Sequence, residues 1–344
     1  AEQVLTCGSC LQGCLASVKA GKGLGCIVNP EVGREADAES RADVARHVVI
    51  VGGGPAGLTA AVVAARRGHR VTLLERADEL GGQFALAPLA PGKQAMERPL
   101  RALLRQAEST EAEIHTGTEA TIEGIIELEP DVVVLAAGAS PIRLEIPGLE
   151  DAVTGNQMLT GEVDAGAEVL VLGGGLVGIE VAELLGKQNK RVTVVEQLHE
   201  VARDMEMITR KMTLKRLAGL PVELLTDTTL VKVDQGTATL RAAGGVDQRG
   251  PFDTVVVAVG TRPVDELSES LRERGVDTST VTIDSAIPTG ATVNLGTGDD
   301  RAMLTATGTI DRLRAEDVPR EILQHIRHIH AGSTGIQPKL RPGL

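Results

Sequence analysis

Aromatic side chains are almost absent from this chain of 344 residues. It contains no Trp and no Tyr, and only two Phe residues, Phe84 and Phe252. No tyrosine of this chain can therefore act as a proton donor in catalysis. Long apolar runs are absent too, because segments such as 132–137 have the length of a strand rather than the roughly 20 residues that span a bilayer.

Basic residues are fewer than acidic residues in this chain. The chain has 35 Lys and Arg residues against 47 Asp and Glu residues, which gives a net charge of −12 at pH 7. An acidic surface repels phosphates, so we expect no nucleic acid and no membrane among its partners. The first residues show no basic segment followed by an apolar one, which predicts no signal peptide and a cytoplasmic location.

Cysteine is scarce, and all four cysteines lie in one short segment: Cys7, Cys10, Cys14 and Cys26. Three closely spaced thiols and one more distant thiol are typical of a loop around a 4Fe-4S cluster, in which each iron takes one thiolate. A four-cysteine zinc site usually has two C-x-x-C pairs, and only one is present. Two disulfides would need an oxidising compartment, and unrelated buried thiols would rarely lie so close together. The spacing favours the cluster over these three alternatives.

A strand, a glycine-rich turn, a helix and an acidic strand end occur twice in the chain. The first copy has a strand over 47–51, GGGPAG over 52–57, a helix over 58–67 and a strand ending at Glu75. The second copy has a strand over 169–172, GGGLVG over 173–178, a helix over 179–187 and a strand ending at Glu196. This order of elements is the context of the dinucleotide-binding fingerprint G-x-G-x-x-G.

The residue types in each copy suit a bound dinucleotide. The first glycine forms the tight turn, the second lets the pyrophosphate approach the backbone, and the third packs helix against strand. The phosphates would lie at the positive end of the helix, where Pro55 suits the first turn. Glu75 and Glu196 can accept hydrogen bonds from ribose hydroxyls, and Glu196 would repel a 2′-phosphate, which favours NADH over NADPH despite the nearby Arg203. The alternative is two glycine turns in an α/β fold without a nucleotide.

The cysteine segment, Asn29-Pro30, the two fingerprints and the sequence LGGQ over 80–83 together resemble the C-terminal half of the 2,4-dienoyl-CoA reductase and trimethylamine dehydrogenase family. The resemblance covers nearly the whole chain and is most specific over residues 1–260. In that family a TIM barrel of the old yellow enzyme type carries FMN and the substrate site, and these 344 residues do not include it. In the reductase branch, electrons pass from the nicotinamide nucleotide to FAD, then to the cluster, then to FMN. In the other branch the first site holds only ADP, and the cluster delivers electrons to an electron-transfer flavoprotein.

The resemblance implies an NADH-dependent, FAD-containing oxidoreductase that passes electrons through a 4Fe-4S cluster to a partner, an FMN-containing barrel subunit or domain. We favour this reductase branch because the second fingerprint is intact. The resemblance assigns the cluster to the four cysteines. It assigns the first site to Gly52, Gly54, Pro55, Ala56, Gly57, Glu75, Arg76, Gly82, Gln83, Gly138, Gly308 and Asp311, and the NADH site to Gly173, Gly175, Gly178, Glu180, Glu196 and Gly260. No nucleophile–base pair stands out, which fits chemistry carried by cofactors.

Two other functions stay open at this point. One is an ADP-binding, cluster-carrying electron-transfer module of an amine dehydrogenase-like complex, with an electron-transfer flavoprotein as its acceptor. The other is a reductase of the glutamate synthase small-subunit type, which usually has a longer cysteine array than this one.

We therefore predict an α/β fold with two Rossmann-like dinucleotide-binding domains, in which the NADH domain is inserted in the FAD domain and an iron–sulfur loop comes first. The predicted boundaries are 1–44 for the loop and a connector, 45–149 and 269–344 for the FAD domain, and 150–268 for the NADH domain. Mostly parallel sheets with helices on both faces are expected. Asp234-Gln235-Gly236 predicts a hairpin turn.

Overall fold

The structure is a computed structural model that describes residues 5–33, 41–273, 292–295 and 302–305. The predicted first-site residues Gly308 and Asp311 lie outside these ranges. A short helix, α1 (Leu15–Lys19), lies in the segment that carries the cysteines, 7–26, which we call the cysteine loop. Among the residues that the structure describes, no helix has the length and apolarity needed to cross a membrane.

The first unit is a four-stranded parallel sheet with helices on both faces. Its elements are β1 (His47–Val51), α2 (Pro55–Arg66), β2 (Arg70–Leu74), the 3-10 helices Gly82–Leu89 and Gln94–Met96, α3 (Glu97–Glu108), β3 (Glu113–His115), α4 (Ile122–Glu127) and β4 (Val132–Leu135). The strand order is β3-β2-β1-β4. All five residues of β1 are buried, because alternate residues pack against α2 and α3 on one face and against α4 on the other.

The second unit repeats this plan with a five-stranded parallel sheet of order β6-β13-β7-β8-β9. Its elements, with the flanking strands, are β5 (Ala139–Pro141), β6 (Val153–Thr154), α5 (Gly155–Thr160), β7 (Glu168–Leu172), α6 (Leu176–Lys187), β8 (Arg191–Val195), α7 (Met207–Leu217), β9 (Val222–Leu225), β10 (Thr229–Asp234), β11 (Thr237–Ala242), β12 (Gly245–Arg249), β13 (Thr254–Val257) and β14 (Thr261–Pro263). The next helix, α8 (Glu266–Glu273), returns to the first unit, where Leu267 packs beside Ile125 of α4. The predicted fold class, with two Rossmann-like units, is confirmed. Strands β15 (Thr292–Leu295) and β16 (Ala302–Thr305) form an antiparallel pair.

One face of the second sheet differs from the expectation of helices on both sides. Val169 and Val171 of β7 pack in the core that includes α6, as predicted. Leu170 and Leu172 instead pack against the antiparallel sheet β10-β11-β12, where Leu240 of β11 is buried. An amphipathic antiparallel sheet can cover an apolar face as well as a helix can, so helical cover on this side is not required.

The hairpin between β10 and β11, and the place where the chain passes between the two units, also agree with the predictions from the sequence. Gln235 and Gly236 both have positive φ, 47° and 78°, as a tight two-residue hairpin turn between β10 and β11 requires. Strands β5 and β14 pair with each other where the chain enters and leaves the second unit. This pairing is what an inserted domain would produce, while the predicted boundaries at 149 and 269 stay a prediction.

Candidate functional site

The first glycine-rich loop joins β1 to α2, and its backbone requires glycine at two positions. Gly52 has a φ of +106°, and a Cβ there would lie 2.3 Å from the carbonyl oxygen of Ala136. A Cβ on Gly57 would lie 1.8 Å from the carbonyl oxygen of Gly52. At Gly54, by contrast, the nearest atom would be Gly82 Cα at 4.0 Å. Tight packing at the outer glycines and space at the middle one are what a pyrophosphate site needs.

The second glycine-rich loop, between β7 and α6, has the same geometry. Gly173 has a φ of +97°, and a Cβ there would lie 2.5 Å from the carbonyl oxygen of Ala258. A Cβ on Gly178 would lie 1.8 Å from the carbonyl oxygen of Gly173. A Cβ on Gly175 would meet no described atom within 4 Å, which leaves space there for a phosphate. The repeat seen in the sequence is therefore a repeat of backbone shape.

Both helices that follow these loops begin without a side-chain cap. Gly54 is the N-cap of α2 and Gly175 is the N-cap of α6, and neither helix start receives a side-chain hydrogen bond in the described structure. Pro55 lies in the first turn of α2, as predicted. The N–H groups at a helix start need acceptors, and the positive end of the helix dipole favours an anion. Each loop can therefore bind the pyrophosphate of a dinucleotide.

The two strand-end acids have a role that the sequence did not reveal. Glu75 is buried and accepts hydrogen bonds from the N–H of Gly53 at 2.6 Å and of Ala77 at 2.8 Å. Each carboxylate oxygen accepts one of these bonds and keeps a second lone pair for a ribose hydroxyl. The carboxylate thus fixes its own glycine loop, in addition to the predicted ribose contact.

Glu196 makes the matching bonds in the second unit, from the N–H of Gly174 at 2.6 Å and of Leu198 at 2.8 Å. It is as buried as Glu75, at 8% exposure for each residue. A signal was present in the sequence, since both acids end the strand next to the glycine loop. The bond to the middle of the loop follows only from the three-dimensional pairing of the strands.

The turn at residues 80–83 lies across the first glycine loop. Gly81 and Gly82 both have positive φ, and a Cβ on Gly82 would lie 3.0 Å from Gly54 Cα. The side-chain amide of Gln83 donates to the carbonyl oxygen of Ala139 in β5. Gly82 therefore lies beside the first loop and Gln83 is bonded to β5, while their contact with the ligand stays a prediction.

The remaining predicted residues lie at the carboxyl edges of the two sheets. Gly138 follows β4 and Gly260 follows β13, with φ values of +74° and +119°. Arg76 is exposed and directly follows Glu75. Arg203 lies 3.7 Å from the carboxylate of Asp204, measured from Nε to Oδ1. The carboxyl edge of a parallel sheet is where ligands bind in this type of fold.

One ion pair joins the two units at their nucleotide-binding edges. Lys93, from the turn before the second 3-10 helix of the first unit, pairs with Glu180 in α6 of the second unit. Glu180 is buried and Lys93 is half-buried. The sequence predicted a site role for Glu180 but missed Lys93, because the two residues are 87 positions apart.

A second carboxylate of α6 is buried in the core of its own unit. Glu183 accepts from Arg216 Nε at 2.7 Å and Nη2 at 2.9 Å, and it also pairs with Lys187 at 2.7 Å. Burial alone would raise the pKa of Glu183, but the hydrogen bonds from Arg216 and Lys187 outweigh it and lower the pKa. This network fixes α7 against α6.

The backbone of the cysteine loop is tightly curved. All four cysteines are free thiols, with Cys7 exposed and the other three half-buried. Ser9 and Leu11 have φ values of 57° and 59°, and a Cβ on Gly13 would lie 2.7 Å from the backbone nitrogen of Ile27. Gly13 therefore lets the first three cysteines approach the segment of Cys26. Among the described residues, no group of three or more His, Cys, Asp or Glu side chains is arranged as a metal site.

The cysteine loop lies between the two units. On one side, a Cβ on Gly8 would lie 2.4 Å from Met96 Sδ and 3.3 Å from Pro99 Cγ, next to the 3-10 helices of the first unit. On the other side, the Gln12 side chain donates to the carbonyl oxygen of Asp204 at 2.8 Å. The cysteine loop therefore contacts the first unit at Met96 and the second unit at Asp204.

Comparison with known proteins agrees with this geometry. The sequence model of the pyridine nucleotide-disulphide oxidoreductase family matches residues 46–290. An NADH oxidase of Thermoanaerobacter brockii is 37% identical over 287 residues, which are 80% of this chain and 44% of that protein. A bilirubin reductase of Mediterraneibacter gnavus is 34% identical over 81% of this chain and 44% of its own length.

A solved 2-naphthoyl-CoA reductase, in complex with 2-naphthoyl-CoA, has the same architecture over the matched region. It superposes with a TM-score of 0.73 and 32% identity, and the match covers 78% of this chain and 42% of that one. The chain thus spans less than half the length of each of these three relatives. It belongs to the pyridine nucleotide-disulphide oxidoreductase family, and it corresponds to the flavin- and NADH-binding half of old yellow enzyme-like reductases and dehydrogenases.

Proposed function

We propose that this chain takes electrons from NADH, passes them through FAD to a 4Fe-4S cluster on its cysteine loop, and delivers them to an FMN-containing partner. The observation that carries the proposal is the pair of matching glycine loops, each with space at its middle glycine, on the two sides of the Lys93–Glu180 ion pair. One unit binds the nucleotide that donates and the other binds the flavin that accepts.

The first loop would hold the ADP half of FAD through Gly52, Gly54 and Gly57, with Glu75 on the ribose. The second loop would hold NADH through Gly173, Gly175 and Gly178, with Glu196 on the ribose. Bound FAD supplies the chemistry, because it can take up a hydride and release its two electrons singly. The chain itself binds, aligns and shields the two nucleotides.

Lys93 and Glu180 set the relative position of the two nucleotides. Glu180 lies in the second turn of α6, directly after the second glycine loop, and Lys93 follows the segment that crosses the first loop. A half-buried ion pair at this position resists sliding of one unit over the other. Because hydride transfer needs close and fixed reactants, we expect the pair to affect the rate more than the affinity.

The second site favours NADH over NADPH. Both oxygens of Glu196 are held by backbone N–H groups, so the carboxylate cannot swing away from a 2′-phosphate. Arg203, the basic residue considered for such a phosphate from the sequence, already has Asp204 beside it. We therefore expect the repulsion between Glu196 and a 2′-phosphate to outweigh any attraction by Arg203.

The cysteine loop and the partner complete the proposal. Cys7, Cys10, Cys14 and Cys26 would ligate the cluster, on a loop that contacts the first unit at Met96. The NADH oxidase and the 2-naphthoyl-CoA reductase are each more than twice as long as the matched region, so a further subunit or domain is the expected site of substrate chemistry. We infer an FMN barrel of the old yellow enzyme type as that partner, with an electron-transfer flavoprotein as the alternative acceptor.

Stopped-flow mixing with NADH or NADPH tests this function. In a sample loaded with flavin and iron, NADH should bleach the flavin and then produce the electron paramagnetic resonance signal of a reduced cluster. Glu196→Ala should narrow the preference for NADH over NADPH by about tenfold, since one repulsive charge is removed. Flavin that stays oxidised in the loaded sample contradicts the proposal.

A second candidate keeps the same fold but uses ADP in the first site. The described residues include those that would hold the ADP half of the ligand, while the predicted residues Gly308 and Asp311 lie outside the described ranges. In that case the cluster would receive its electrons from the partner. Chromatography of the nucleotide released from the purified protein distinguishes the two, because FAD supports the first candidate and ADP the second.

A further inference from the structure

We infer that Gln12 and Glu206 are positioning residues that couple the second dinucleotide site to the cysteine loop. A dinucleotide on the second glycine loop would hold residues 8–26 more rigidly, and the ordered loop would bind the dinucleotide more tightly. The inference rests on the proposed function in one respect, because it needs a nucleotide at the second loop.

Gln12 attaches the centre of the cysteine loop to the second unit. Its side-chain amide donates to the carbonyl oxygen of Asp204 at 2.8 Å and accepts from the backbone N–H of Glu206 at 2.9 Å. A side-chain amide can make both bonds at once, whereas a carboxylate lacks the donor, and a methionine has no donor and only a weak acceptor. Gln12 lies between Cys10 and Cys14, so these two bonds act directly on the cysteine-bearing backbone.

Glu206 connects the same point to α7. Its carboxylate is the N-cap of the helix, because Oε2 accepts from the N–H of Ile208 and of Thr209, both at 2.9 Å. The residue is only 4% exposed, and in the described part of the chain Oε1 has no hydrogen-bond donor. Lys19 Nζ, from α1 of the cysteine loop, lies 3.9 Å from this oxygen. Glu206 therefore interacts with the cysteine loop in two ways: its backbone N–H donates to Gln12, and its buried carboxylate lies near Lys19.

Glu206 ends a segment, residues 201–206, whose other end contacts the second glycine loop. The N–H of Ala202 donates to the carbonyl oxygen of Gly174 at 2.6 Å, and Val201 fills the space beside Gly174. Ala202 is fully buried with a φ of +49°, a conformation that residues other than glycine adopt only when their surroundings hold them. Met205 N–H bonds back to Ala202 at 3.1 Å, which closes the turn.

A short and continuous path therefore joins the two sites. Gly174 contacts Ala202, a closed turn leads from Ala202 to Glu206, and Glu206 contacts Gln12. A pyrophosphate that fixes the backbone of the glycine loop reduces the freedom of this turn, and hence of the residues bonded to its end. By linkage, any effect of the nucleotide on the cysteine loop has an equal effect in the reverse direction on nucleotide affinity.

Hydrogen exchange on the full chain, purified with its bound cofactors, tests the coupling. ADP-ribose is the probe, because it has the adenosine half of NADH and no nicotinamide to start turnover. In the wild type, ADP-ribose should slow amide exchange over 173–180 and 196–206, and also over 8–26, by about fivefold or more. In Gln12→Met, exchange over 173–180 and 196–202 should still slow, while the effect on 8–26 is lost.

Gln188→Met is the matched control, since it makes the same change at an exposed position at the end of α6. It should behave as the wild type. Protection of the second loop without any change over 8–26, or protection of 8–26 that survives Gln12→Met, overturns the coupling and leaves the NADH site intact. If ADP-ribose protects neither 173–180 nor 196–206, the proposed NADH site is itself wrong and the coupling falls with it.

Discussion

The two glycine-rich loops have nearly the same backbone, but they differ in what lies above the middle glycine. A Cβ on Gly54 would meet Gly82 Cα at 4.0 Å, whereas no described atom lies within 4 Å of that position on Gly175. At the middle glycine, the turn over residues 80–83 therefore approaches the first loop, whereas Gly175 has no such neighbour, although Val201 packs beside Gly174 in the second loop. We expect the closer turn to suit a cofactor that stays bound, and the clearer position at Gly175 to suit a dinucleotide that binds and leaves in each turnover.

The helices after the two loops differ as well. Glu180 and Glu183 of α6 are buried carboxylates that reach Lys93 and Arg216 on other elements. At the same distances from the first glycine, α2 has Thr59, which bonds to Pro55 within the helix, and the buried Val62. The second unit is therefore held in place by charged contacts that these positions of the first unit do not provide.

The largest difference between the loops should come from adding a methyl group at the third glycine. Gly57→Ala and Gly178→Ala each place a Cβ 1.8 Å from a carbonyl oxygen, which the backbone cannot relieve without moving the loop. Gly57→Ala should lose its flavin. Gly178→Ala should keep its flavin but bind NADH about 100-fold more weakly, as measured by flavin content and by titration with NADH.

Gly244→Ala is the control for both variants, because no described atom would contact the new Cβ. It should retain flavin and NADH affinity. If Gly178→Ala lost flavin as readily as Gly57→Ala, the two units would not be the separate ligand sites that the geometry indicates.

A smaller and more selective effect should come from the middle glycines. Gly54→Ala and Gly175→Ala meet no steric conflict in the chain itself, since both residues have extended backbone with φ of −76° and −69°. Their melting temperatures without added ligand should therefore change little. The methyl group would occupy the space of the pyrophosphate, so Gly175→Ala should weaken NADH binding by about tenfold. A large fall in the melting temperature of Gly175→Ala would show that this glycine serves the fold rather than the ligand.

The contact between the units should have a moderate effect when it is broken. Lys93→Met leaves Glu180 buried without its cation, which should cost about 1–3 kcal/mol of stability because Lys93 is partly exposed. The rate of flavin reduction by NADH should fall about fivefold, while NADH affinity changes less. Lys93→Arg should restore part of the rate, and a double variant with Glu180→Gln should recover stability. Equal losses of rate and affinity would contradict a role in alignment.

Local patterns were sufficient to predict much of this molecule. Strand, glycine turn, helix and acid follow each other within about thirty residues in each copy, so short-range periodicity and turn chemistry identify them. The hairpin at Gln235 and Gly236 is of the same kind. These features depend on neighbours in the chain, which is why the structure repeats them as predicted.

The contacts between units could not be predicted in this way. Lys93 and Glu180 are 87 positions apart, and Gln12 and Asp204 are 192 positions apart. Neither pair leaves a pattern in the sequence, because a single polar residue on a loop has no periodicity. The covering of β7 by an antiparallel sheet was missed for a related reason, since an apolar strand does not specify what packs on it.

The smallest expected effect separates the two units by their response to acid. The pKa of Glu183 is lowered in the folded protein, so its ion pairs stabilise fully above the ordinary carboxyl pKa of 4.5 and are lost as the pH falls through the lower folded value. Glu183→Gln should therefore melt about 2–4 °C below the wild type from pH 7 to pH 5, a difference of about 1 kcal/mol, and this gap should close below pH 4.5. Glu127→Gln, at an exposed position of the first unit, should show no such gap.

Val62 occupies the matching core position of α2 and cannot titrate, so hydrogen exchange at about pH 4 should increase in α6 and α7 before it increases in α2. Earlier opening of α2 would mean that the charged core of α6 does not set the acid stability of its unit.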